Sequence, residues 1–111
     1  MGVEMYTPII ATLGYILSPD RQKTLLVHRN KRPEDQHLGK YNGLGGKMLP
    51  TEDIYQCLIR EIFEEANIRC EKAVLRGTIN WTGFGPHGEN WFGFIYCIEQ
   101  FSGTPERTNE E

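Results

Sequence analysis

Apolar and polar positions divide the chain into segments of different period. From Tyr6 to Leu17 (YTPIIATLGYIL) β-branched and aromatic residues dominate, which predicts a strand with Pro8 at an edge or bend. SPDRQ follows, with turn chemistry at Pro19 and Asp20, and TLLVHRN (Thr24 to Asn30) predicts a second strand completing a hairpin. KRPEDQHLGK is polar and broken by Pro33 and Gly39, so it reads as a loop. In YNGLGGKM (Tyr41 to Met48) the glycines suit a tight backbone held close to something else, or simply a loop.

The period then changes to that of a helix. Thr51 is a good N-cap, Glu52 and Asp53 fall in the first turn where the dipole favours negative charge, and the pattern runs to about Ala66. Asn67 suits the left-handed residue that ends a helix. Rough alternation from Asn67 to Trp81 predicts one or two strands, TGFGPHGEN a glycine-rich loop, and WFGFIYCIEQF (Trp91 to Phe101) a strong strand closed by the turn SGTP. The layout is mixed α and β, without repeat or linker.

Composition narrows the class. A chain of 111 residues with 39% hydrophobic and 24% charged residues predicts one soluble domain spanning 1–111. A net charge of −3 argues against a clamp for long nucleic acid, though not against a small nucleotide. Cys57, Cys70 and Cys97 lack CxxC spacing and read as reduced small hydrophobes in a cytoplasmic protein. No apolar run reaches the roughly 18–20 residues that span a bilayer. The start MGVEMY lacks the features of a signal peptide, and Tyr6 stands where myristoylation wants Ser or Thr.

The candidate chemistry lies in the helix. With Arg60 at zero and about 100° per residue, Glu64 falls near 40°, Glu61 near 100° and Glu65 near 140°. The apolar set Leu58, Ile62, Tyr55, Ala66, Ile59 and Phe63 spans roughly 160° to 300°. Three carboxylates therefore crowd one flank beside the predicted buried stripe, where like charges repel and one arginine does not neutralise them. Such a cluster is either a solvated face or a set of hard oxygen ligands suited to Mg²⁺ or Mn²⁺.

The framing decides between them. Gly46, five residues, Glu52, seven residues, then Arg60-Glu61-Ile62-Phe63-Glu64-Glu65-Ala66-Asn67-Ile68 resembles the Nudix box, G-x5-E-x7-R-E-U-x-E-E-x-G-U, over 46–68. Asn67 alone departs, standing where the family has Gly. KYNGLGGK and SGTPERTNEE are similar to segments of the MutT-type branch, which cleans oxidised purine nucleoside triphosphates.

The resemblance implies an α/β/α sandwich with a mixed sheet (α+β in its segregated elements). It also implies Mg²⁺-dependent hydrolysis of a nucleoside triphosphate, such as 8-oxo-dGTP, to monophosphate and pyrophosphate. Other nucleoside diphosphate derivatives, or a non-catalytic nucleotide-binding module, are the alternatives. It assigns metal to Glu61, Glu64 and Glu65, with the Gly45 carbonyl and Glu110 as further ligands, and the general base to Glu61. Arg60 then orients the carboxylates, or is a simple partner of Glu64; Glu52 orients or assists the base, or is a helix-dipole residue. For substrate, Lys47 is the candidate phosphate contact and Asn42 meets a purine edge or bonds its own loop. Trp81 and Phe84 stack on a base or pack the core. Family domains generally continue further, so the expectation is either a C-terminal truncation or an unusually short protein, and the oligomeric state stays open.

Overall fold

In a computed structural model, residues 4–17, 24–25, 27–28 and 41–104 are described, with the backbone alone at 24–25, 27–28 and 41–42. Strand β1 (Ile9–Leu17) is the organising element. It runs parallel to β7 (Trp91–Ser102), pairing Ile9 with Trp91 through Ile16 with Ile98, and β7 pairs antiparallel with β6 (Arg69–Trp81). On its other edge β1 pairs antiparallel with β2 (Thr24–Leu25), which gives the expected hairpin, and with β5 (Leu44–Lys47). A separate two-stranded ladder joins β3 (Val27–His28) to β4 (Tyr41–Asn42). The sheet is therefore mixed, as anticipated, and the segment after the helix forms one long strand.

The glycine-rich stretch is strand and not loop. A residue without a side chain contributes nothing to an alternation pattern, so β5 is invisible to periodicity; long-range pairing with β1 makes it a strand. Helix α1 (Ile54–Ala66) also begins later than its pattern suggests. Its N-cap is Asp53, whose carboxylate accepts from Gln56 N–H while the Gln56 side chain accepts from Asp53 N–H, a capping box. Thr51 is thus not the cap, and Glu52 stands ahead of the helix. The C-terminus matches expectation: Asn67 is left-handed at φ 58°, and its N–H reaches the Phe63 carbonyl at 2.9 Å.

Among the described residues α1 is the only helix, and it lies on one face of the sheet. Gly14 of β1 lets it approach, since a Cβ there would come within 2.9 Å of Ile62 and Ile98 and 3.0 Å of Leu58. Leu58, Ile62 and Ala66 are buried against Ile16, Tyr96 and Ile98, each large side chain contributing about 1.5–3 kcal/mol by burial. Two members of the expected apolar stripe are not core: Phe63 is 49% exposed and Tyr55 36%, Tyr55 leaning its ring on Tyr96. Cys57, fully buried, takes their place, because the helix turns that side toward β5.

Candidate active site

Three side chains one turn apart, Cys57, Glu61 and Glu65, form the row of α1 that lies on β5. Cys57 Sγ is 3.7 Å from the Gly46 carbonyl and 3.6 Å from Thr12 Oγ1. Glu65 Oε1 accepts from the Gly45 N–H at 2.7 Å. Glu61 occupies the space above Gly46, where a Cβ would lie 2.5 Å from its Cδ. Gly45 is fixed by backbone demands: its φ is +147°, and a Cβ there would overlap the Thr12 carbonyl. The two glycines are thus what permits half-buried carboxylates between helix and strand.

Arg60 gathers the neighbouring acids. Its Nε and Nη2 grip both oxygens of Glu52 at 3.0 and 2.7 Å, a fork-to-carboxylate pair. Nη1 donates to Glu61 at 2.6 Å and to Glu64 at 3.1 Å, and Nη2 also donates to the Lys47 carbonyl at 3.1 Å. The contact with Glu64 is therefore one of several. Glu52 further accepts from Leu49 N–H at 2.8 Å, tying down the turn before the helix. The Arg60 hydrogen bond is the main cause that holds the Glu52 carboxyl at about 2, and Glu52 in turn raises the Arg60 pKa further. Burial pushes the Cys57 thiol up, so it is a packed apolar group here.

Among the described residues no three His, Cys, Asp or Glu side chains already converge as a metal-binding group. The donor set nevertheless fits a hard divalent cation. Glu52, Glu61 and Glu64 stand around one guanidinium and Glu65 lies on the Gly45 N–H, so oxygen ligands are plentiful and negative charge is in excess. Glu110 lies outside the described residues, as does the Asn42 side chain; the Asn42 backbone pairs with Val27.

The opposite face of the sheet carries aromatic groups. Trp81 and Trp91 are cross-strand neighbours, and Phe84 meets both, at 5.3 Å and 31° to Trp81 and at 5.9 Å and 79° to Trp91. Lys47 Nζ lies 5.9 Å from the Trp91 ring, so Lys47 touches the aromatic group with its amine and Arg60 with its carbonyl. Trp91 sits at the end of the β6–β7 ladder, opposite Trp81. Its half-buried place beside Lys47 follows from the pairing of Ile9 with Trp91 and of Ala11 with Lys47, which no local pattern encodes. His87 is exposed, with its N–H on Glu89 at 3.0 Å.

The site is thus a carboxylate helix row seated on a glycine strand at the edge of a mixed sheet. The chain belongs to the Nudix family, whose NUDIX domain model matches residues 7–111. It is 29% identical over 106 residues to the oxidized purine nucleoside triphosphate hydrolase of Danio rerio, covering 96% of this chain and 64% of that relative. The chain thus spans less than two thirds of that protein's length. Among solved structures, a MutT NUDIX hydrolase from Burkholderia pseudomallei superimposes with a TM-score of 0.79 at 28% identity, over 93% of this chain and 75% of that one. A NUDIX hydrolase from Nitrosomonas europaea gives 0.74 at 28% identity, over 92% and 65% respectively. The fold expected from the box, and the MutT-type branch expected from KYNGLGGK and SGTPERTNEE, are those of its relatives.

Proposed function

We propose that this chain hydrolyses a nucleoside triphosphate, an oxidised purine such as 8-oxo-dGTP, to the monophosphate and pyrophosphate. The observation that carries the reading is the double engagement at β5. Arg60 collects Glu52, Glu61 and Glu64 on one face, while Lys47 reaches the aromatic group on the other. A polyphosphate needs the first environment and a base the second, and Lys47 touches both. The name of the zebrafish relative supports the substrate class.

Glu61, Glu64 and Glu65 would hold Mg²⁺, or Mn²⁺, with the Gly45 carbonyl and Glu110 completing the set. When bound, the ion neutralises phosphate charge and lowers the pKa of water. Glu61 takes the proton of the attacking water, and Arg60 and Glu52 keep that carboxylate oriented. Lys47 meets phosphate oxygens, Asn42 reads the purine edge, and Trp81 offers a stacking surface bordered by Phe84. We place this activity in one domain of the cytoplasm, a compartment that fits free Cys57, Cys70 and Cys97. No helix among the described residues is long and apolar enough to cross a membrane.

The test is release of pyrophosphate and monophosphate from 8-oxo-dGTP, dGTP, ATP and ADP-ribose at saturating Mg²⁺, with Glu64→Gln alongside. Preference for the oxidised purine, abolished in the variant, is the expected result. Preference for another nucleotide would discard the substrate. No release from a folded sample that still binds Mg²⁺ would overturn the catalytic reading.

A further inference from the structure

The loop 82–90 joins β6 to β7 and carries Phe84 back onto Trp81. The phenyl is tilted 31° to the indole with centroids at 5.3 Å, an aromatic contact that would compete with a base stacking there. Trp81 also lies over Gly93, where a Cβ would be 2.7 Å from Cζ3 and 3.0 Å from Cη2. The sheet thus takes one side of the indole and Phe84 takes another.

The loop that holds Phe84 is tied mainly to itself. Gly85 N–H donates to the Glu89 carbonyl at 3.1 Å and Gly88 N–H to the Gly85 carbonyl at 2.9 Å. His87 N–H bonds the Glu89 carboxylate at 3.0 Å, and Gly83 N–H bonds the Asn90 side chain at 2.9 Å. Gly83 and Gly88 have φ of +65° and +81°, and a Cβ at either would meet nothing within 4 Å. The turn thus closes on itself, and it is joined to β1 where the Asn90 carbonyl accepts from Ile9 N–H at 2.9 Å.

We infer that Phe84 is a gate and not a wall: it occupies the stacking surface of Trp81 until a nucleobase displaces it. The inference rests on the reading of Trp81 as the base-stacking residue. Covering the indole then weakens the binding of every base by the same factor, set by the fraction of molecules in which it is uncovered.

Trp81 and Trp91 are the chain's two tryptophans, so intrinsic fluorescence reports this cluster alone. We would titrate metal-free protein with dGMP and dCMP, comparing the unaltered chain with Phe84→Ala, Phe84→Leu and Trp81→Ala. Melting curves would establish that each variant is folded. Removing the ring should tighten binding of dGMP and dCMP alike by about 3- to 10-fold, the scale of one aromatic pair. Weaker or unchanged binding in both Phe84 variants, with binding lost in Trp81→Ala, would leave the stacking site standing and refute the gate. Unchanged binding in Trp81→Ala would remove the stacking site and the gate together, as would absence of binding in every form.

Discussion

Gly45 and Gly46 are adjacent and chemically identical, yet alanine should act at the two positions in opposite ways. At Gly45 the φ of +147° belongs to a region that side chains avoid at a cost of about 1–3 kcal/mol. The added methyl would also overlap the Thr12 carbonyl, and a backbone atom in a paired strand cannot step aside. Relief requires β5 to separate from β1, losing ladder hydrogen bonds worth about 1 kcal/mol each. The sum is about 3 kcal/mol or more, which for a domain of this size lowers the melting midpoint by roughly 12–24 °C. At Gly46 the atoms nearest the methyl are those of the Glu61 carboxylate, with Cδ 2.5 Å away, and a side-chain end can rotate. The cost is about one hydrogen bond to Arg60, partly offset by the lower entropy of the unfolded alanine chain. The midpoint should move by no more than about 8 °C, while hydrolysis falls roughly 100-fold because the carboxylate is misplaced. Circular dichroism melts and pyrophosphate release, run on both variants, separate the outcomes. Equal loss of midpoint in the two, or full activity in Gly46→Ala, would refute the reasoning.

Three further outcomes follow from the same contacts. Arg60→Lys keeps the charge but not the fork to Glu52, so hydrolysis should fall about 100-fold with Mg²⁺ still bound by calorimetry; wild-type rates would deny Arg60 an orienting part. Glu52 has its folded pKa depressed from 4.5 to about 2, so its contribution is present above 4.5 and lost as pH falls through 2; melts in acid should show a shallower decline for Glu52→Gln. Asn67→Ala places an ordinary residue at φ 58° and should lower stability by about 1 kcal/mol, whereas Asn67→Gly should melt at or above the unaltered chain.

What the sequence disclosed and what it hid divide along a physical line. The carboxylate spacing, the arginine among them and the left-handed Asn67 are local relations on one helix, and a 100° step recovers them from letters alone. Local signals failed where two neighbours offered the same chemistry. Thr51 and Asp53 are both good caps, and the choice was made by Glu52, which is held outside the helix by Leu49 N–H and Arg60. They failed again for β5, whose glycines carry no pattern because their function is to carry no side chain.

The two failures concern one place. Extending the helix back to Thr51 would draw Glu52 into its first turn, away from the Leu49 N–H it now caps. Treating Gly45 and Gly46 as loop would remove the surface on which Glu61 and Glu65 rest. The glutamates look like decoration on an isolated helix, and they become a site only when a side-chain-free strand lies beneath them. The box therefore specifies a joint between two elements, and its glycine end and its carboxylate end have meaning only together.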